Sequence, residues 1–140
     1  MAAAEIESIA KCLGIPVAGD CLVTTPERFL ETAACLKDPA GADFDYLDMI
    51  TAVDYPDRFE LVYRFRSLKN NRTAIVKARL NRENPSIASL TGLWKGADFQ
   101  EREIFDLFGI TFTGHPCLRR IMLWEGFKGY PLRKDFSRGT

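Results

Sequence analysis

Between positions 98 and 135 the chain is dense in side chains able to do chemistry. Glu101, Arg102, Glu103 and Asp106 crowd one short stretch, and His115, Arg119, Arg120, Arg133, Lys134 and Asp135 follow. On a helix, Arg102 and Asp106 (four apart) share a face, as do Glu103 and Asp106 (three apart). Two carboxylates so spaced could hold a metal or divide acid and base roles, but no second helix bearing His or carboxylates completes such a set. They read instead as a salt network on a helix surface near an interface. His115 is the only histidine. Without GxSxG or another nucleophile motif it builds no Ser-His-Asp set. Cys117 lies two residues on, where an extended chain points both side chains alike without joining them. Charged groups are rarely buried unless paired. Mixing them with Phe127, Tyr130 and Phe136 is the composition of a surface that meets a partner, because aromatic and Arg side chains are the usual interface anchors.

The rest of the composition narrows the classes. At 140 residues, with 46% hydrophobic and 27% charged residues, the chain is long enough for one domain with a real core. The 19 basic and 19 acidic residues cancel, which argues against nucleic-acid binding. Beyond His115, however, Lys and Arg outnumber Glu125 and Asp135, so the C-terminal region is basic and suits an acidic or polar partner. Cys12, Cys21, Cys35 and Cys117 show no CxxC spacing, so no zinc or iron–sulfur site is expected, and free thiols in a reducing compartment are. No signal peptide and no apolar run long enough to cross a bilayer is apparent. At a membrane, something else must hold the chain.

Periodicity predicts the scaffold. Residues 2–13 read as a helix stopped by Gly14, and 15–24 as a strand. Thr25-Pro26 signals the start of a helix running to about Lys37, with Phe29, Leu30, Ala33, Ala34 and Leu36 inward. Residues 38–41 read as a loop. Strands are predicted over 44–54, 59–67 and 73–81, joined by Tyr55-Pro56-Asp57 and by a hairpin turn at 69–72, as a three-stranded antiparallel meander. Asn84-Pro85 predicts a short helix with Ile87, Leu90 and Leu93 inward. A second helix is expected from Asp98 to Phe108, with Asp98 and Glu101 as a capping box and Gly109 as its stop. Glycines and prolines break any pattern after Gly114. The expected class is α+β, a mainly antiparallel sheet with flanking helices. Residues 1–114 form the globular part and 115–140 an extended, irregular docking tail.

The residues ERExxDLFGIxFxGHPxLRRI (101–121), then GYPLRKD (129–135), with PSIASLTGLWKGADFQ (85–100) leading in, resemble the signature of the 30 kDa subunit family of respiratory complex I, the NADH–quinone oxidoreductase. The likeness is specific over 84–136 and looser over 15–83. Phe99 stands where Trp is usual, and Cys117 where Asp is often found. The chain's end soon after RKD is similar to the short form found in energy-converting membrane-bound [NiFe] hydrogenases. The resemblance implies a soluble α+β subunit without flavin, iron–sulfur cluster or metal of its own. It implies packing against the large 49 kDa or NiFe-hydrogenase-like subunit and other peripheral-arm subunits, on the cytoplasmic side of the cell membrane, with membrane contact only through the complex. The flavin, iron–sulfur, quinone or NiFe centres would sit in partners. Glu101, Arg102, Glu103, Asp106, His115, Arg119, Arg120, Phe127, Tyr130, Arg133, Lys134 and Asp135 then become interface and scaffold groups, none catalytic. Two other readings stay open: a stand-alone enzyme built on Glu101, Glu103, Asp106 and His115, and an interaction module that kept the fold but left the complex.

Overall fold

A computed structural model describes residues 17–18, 21–37, 44–69, 71–124 and 127–134. The elements run β1 (Val17–Ala18), β2 (Cys21–Thr24), a 3-10 turn (Pro26–Arg28), α1 (Phe29–Lys37), β3 (Tyr46–Asp54), β4 (Arg58–Ser67), β5 (Arg72–Asn81), β6 (Ser86–Ala88), α2 (Ala97–Phe108) and β7 (Thr111–Thr113). The predicted meander is present: β3 pairs with β4 and β4 with β5, both antiparallel. Asn71 makes the hairpin turn with φ 52°, a left-handed conformation that Asn tolerates. Two pairings lay beyond the periodicity. β2 joins β5 in parallel, giving the order β1-β2-β5-β4-β3, and β6 pairs in parallel with β7 as a separate two-stranded sheet.

Alternation along β4 and β5 decides which face is covered. Phe59, Leu61, Tyr63 and Phe65 of β4 and Ala74, Val76, Ala78 and Leu80 of β5 are buried, and each large apolar side chain so placed contributes about 1.5–3 kcal/mol. Both helices lie on this side. Phe29 of α1 meets Tyr63 at 4.7 Å between ring centroids, and Phe108 of α2 meets Phe59 at 6.4 Å. The other face carries polar pairs such as Arg64–Asp48 (3.0 Å) and Arg79–Glu60 (3.7 Å).

Several local expectations are corrected. The strand over 15–24 is two short antiparallel strands. In α1, Leu30 and Ala34 face outward, and Thr32 takes the inward place beside Phe29, Ala33 and Leu36. The Thr32 hydroxyl donates to the Arg28 carbonyl at 2.9 Å and lies 3.2 Å from that of Thr24, and these partners let a polar residue sit in the stripe. Thr25 precedes the turn but makes no side-chain cap. The short helix expected after Pro85 is β6. Tertiary pairing overrides the helical spacing: Ile87 stands opposite Phe112 with both buried, the Thr111 N–H donates to the Pro85 carbonyl, and the Ser89 N–H to that of Thr113. The predicted helix at 2–13 and loop at 38–41 lie outside the described residues. The described residues after Gly114 form neither helix nor strand, as their Gly and Pro content predicts.

Candidate interaction site on the second helix

Helix α2 runs from Ala97 to Phe108 after Gly96, with no side-chain N-cap, so the Asp98–Glu101 capping box is not formed. Glu101 is drawn elsewhere. Its side chain is fully buried, with Oε1 accepting from the Ser89 hydroxyl at 2.6 Å and Oε2 from the Leu90 N–H at 2.8 Å. It ties α2 to the turn after β6. Burial pushes the Glu101 carboxyl above its ordinary value, against the two donors that favour its ionised form.

Asp106 holds the opposite end of the same helix to the segment after β7. Its Oδ2 accepts from three successive backbone N–H groups, Ile121 at 3.1 Å, Met122 at 2.7 Å and Leu123 at 2.9 Å, while Oδ1 meets the Arg120 guanidinium at 3.0 Å. Burial alone would raise this carboxyl, but the three backbone donors and Arg120 outweigh it and hold it below the ordinary carboxylate value. Arg120 also donates to the Gly129 carbonyl at 3.0 Å and lies over the rings of Tyr130 (5.0 Å) and Phe127 (5.7 Å). One buried ion pair therefore gathers residues 106, 120–123, 127, 129 and 130.

The expected Arg102–Asp106 pair does not form. Arg102 donates to the carbonyls of Arg119 (3.2 Å) and Arg120 (3.5 Å), because Asp106 is already occupied by Arg120. Nor do Glu103 and Asp106 share surroundings, since Glu103 is exposed and Asp106 buried. The His115 ring is buried. Its Nδ1 accepts from the Cys117 N–H at 3.0 Å, which leaves Nε2 to donate to the Asp98 carbonyl at 3.2 Å, with Asp98 Oδ1 2.9 Å away. The histidine thus shapes a turn and points to no nucleophile. Arg133 donates from Nε to the Phe108 carbonyl at 2.5 Å, closing the C-terminal end of α2, and is sandwiched between the Phe59 (5.0 Å) and Tyr130 (4.9 Å) rings. The backbone N–H of Lys134 donates to Asp54 Oδ2 at 2.8 Å, and Asp54 is also paired with Arg82. The side chains of Arg119 and Lys134 are exposed, and Phe127 is partly buried. Asp135 and Phe136 lie outside the described residues.

Most charged residues singled out from the sequence are therefore spent inside the chain. What faces outward was missed: Ile121, Met122 and Trp124, in the pinned turn itself, with Phe99 and Leu132 on neighbouring segments. The one signal was an apolar run, IMLW, without helical or strand periodicity. The site offers no acid–base pair to a substrate, since both buried carboxylates are surrounded by donors from the chain itself. Among the described residues no three His, Cys, Asp or Glu side chains are grouped to hold a metal ion. A depression of about 390 Å³ bounded by Lys37, Asp45, Tyr46 and Trp94 shares no residue with this site.

Residues 22–140 match the family described as respiratory-chain NADH dehydrogenase, 30 Kd subunit. This chain belongs to that family. Among 30 Kd subunit relatives, an NADH-quinone oxidoreductase subunit from Roseiflexus sp. (strain RS-1) is 47% identical over 118 residues, covering 82% of this chain and 68% of the relative. Another, from Rhizobium meliloti (strain 1021), is 48% identical over 114 residues, covering 79% and 62%. The chain thus spans about two thirds of the length of these relatives. A trypsin-resistant fragment (1-134) of Nqo5 superposes with a TM-score of 0.71 at 33% identity, covering 81% of this chain and 99% of the fragment. A chain of an archaeal membrane-bound sulfane sulfur reductase has the same fold, with a TM-score of 0.76 at 23% identity over 95% of this chain and 84% of its own. The α+β fold expected for the 30 Kd subunit family is the fold observed. No helix among the described residues is long and apolar enough to cross a membrane.

Proposed function

We propose that this chain is a non-catalytic peripheral-arm subunit of a complex I-type NADH:quinone oxidoreductase or of a related energy-converting hydrogenase. It docks onto the large subunit that bears the quinone site or the NiFe centre, and supports electron transfer by holding that subunit in place. The body over 1–114 is the platform and residues 115–140 are the docking strap. Flavin, iron–sulfur, quinone or NiFe centres belong to the partners, and this chain binds none. It works on the cytoplasmic side of the membrane and reaches the membrane only through the complex.

The observation that carries this reading is the pinned tail. The described residues between 115 and 134 have no ladder or helix of their own, yet Asp106, Arg102 and Arg133 fasten them to α2 through backbone groups. A segment built that way keeps its outward side chains for a neighbour. The names of the relatives and the family match support the same reading.

The test is a mild-detergent pull-down of the chain from its native membranes, with mass spectrometry of its companions. Recovery of a quinone-site large subunit with NADH-binding partners, or of a nickel-bearing large subunit, supports the reading and chooses between its two forms. Recovery of the chain alone overturns it in favour of a module that left the complex.

A further inference from the structure

Exposed apolar side chains scattered singly need no explanation, but several in one rigid turn do. Met122 is 61% exposed, Trp124 70% and Phe99 63%, with Ile121 at the margin. Their backbone is not loose. The N–H groups of 121, 122 and 123 all end on Asp106, and Arg102 ties the two residues before them to the helix turn that carries Phe99, lying 5.7 Å over that ring. The fold has committed a buried carboxylate to holding a Met and a Trp in water. Holding them in one geometry lowers the ordering cost of a later association.

Resting on the docking reading above, we propose that the principal contact of this chain is the turn Ile121–Trp124 together with Phe99, seated in an apolar cleft bordered by carboxylates on a larger protein subunit. The charged motif residues are the internal brace that aims it. Charge selects the occupant. Arg119 and Lys128 are exposed beside the turn, whereas Asp106, the carboxylate that holds its backbone, is buried and consumed. Among the described residues the exposed charges beside the turn itself are the cations Arg119 and Lys128, while the exposed carboxylate of Glu103 lies one helical turn beyond Phe99, so the complement facing the turn is acidic. A second copy of this chain is disfavoured, because an isologous contact sets those cations against their own images. A lipid surface is disfavoured too, because a fluid bilayer asks for apolar area and positive charge but for no fixed backbone.

The experiment replaces the native copy with Met122→Ala/Trp124→Ala or with Arg119→Ala/Lys128→Ala and repeats the pull-down beside the unaltered chain. Trp94 is buried, so its blue-shifted emission verifies that the Ala variants keep the core. The apolar pair is expected to lower recovery of the large subunit by about thirtyfold, the measure of an interface hot spot. The charge pair is expected to weaken recovery less and to flatten its dependence on salt. If the unaltered chain brings the large subunit and the apolar variant brings it equally well, the inference is overturned while the docking reading stands. If the unaltered chain brings nothing, the docking reading itself has failed. Trp124-dependent pelleting of the purified chain with phosphatidylcholine–phosphatidylglycerol vesicles would overturn the inference in favour of a lipid surface, and Trp124-dependent dimers in light scattering in favour of a second copy.

Discussion

The ring of Tyr130 fills the space that a Cβ on Gly109 would need, its nearest atom 2.6 Å from that position. Gly109 ends α2 with φ +76°, its N–H donating to the Phe105 carbonyl at 2.9 Å. The glycine thus serves two purposes, stopping the helix and admitting the tail. Gly109→Ala meets both penalties, a left-handed backbone costing about 1–2 kcal/mol and a displaced ring. We expect a loss of about 2 kcal/mol or more in urea unfolding for an added methyl that must move a packed ring. In a Tyr130→Ala background the same substitution should cost only the backbone share. Equal costs in the two backgrounds would mean that the ring is no obstacle.

Glu101 and Asp106 should tilt the pH–stability curve in opposite directions. Asp106 ionises below the ordinary 3.8 in the folded chain, so its contribution is fully present above that value and is lost as pH falls from there through the lower folded value. Glu101 ionises above the ordinary 4.5, so the folded state keeps its proton longer, and stability declines as pH rises past 4.5 until the folded carboxyl has also ionised. Asp106→Asn should flatten the acid limb, and Glu101→Gln should flatten the decline toward neutrality. Urea midpoints measured across pH check both. An unchanged neutral-side slope in Glu101→Gln would assign that slope to another group.

Removing these side chains outright should cost more than removing their charge. Asp106→Ala leaves Arg120 and three N–H groups without their acceptor, and losing one partner of a buried pair costs about 3–5 kcal/mol. Glu101→Ala strands the Leu90 N–H, at about 1–3 kcal/mol. Urea unfolding at neutral pH should rank Asp106→Ala below Glu101→Ala, with Glu101→Gln nearest the parent. Residues 119–134 should also exchange their amide hydrogens faster in Asp106→Ala than β4 does.

Arg133→Lys keeps the charge but loses the planar fork stacked between Phe59 and Tyr130. We expect a cost of about 1 kcal/mol from the lost stacking. It should appear as faster amide exchange at Leu132, whose N–H donates to the Leu107 carbonyl at 3.1 Å. Protection equal to the parent's would show that charge alone holds this end of the strap.

The meander and the second helix were legible because their cues are local: period-two alternation in β4 and β5, Asn in the hairpin, Gly109 after Phe108. The parallel pairings were not. Cys21 opposite Ile75 and Ile87 opposite Phe112 depend on contacts far apart in sequence, and a three-residue strand bounded by Pro85 carries too little pattern to compete with a helical spacing. At the site, the residues that matter were visible but not their partners. Arg102 and Asp106 stand four apart as helix pairs do, yet each bonds the tail, because backbone carbonyls and N–H groups arriving from 119–123 outcompete a neighbour on the same helix. Met122 and Trp124 were passed over because apolar residues without periodicity read as core or loop filler. Only the pinned backbone shows that they face outward.

The bond from the Lys134 N–H to Asp54 spans eighty positions of chain. At roughly 5–20 residues per second, a ribosome releases the acceptor some 4–16 s before it makes the donor. β4, β5 and α2 are all synthesised within that interval, so during birth the carboxylate at the end of β3 gains Arg82 as its companion first and waits for the other. The strap closes last, on a body already assembled. A nascent chain arrested between Arg82 and position 134 carries that acid with one of its two partners missing, a mark by which an incomplete subunit differs chemically from a finished one.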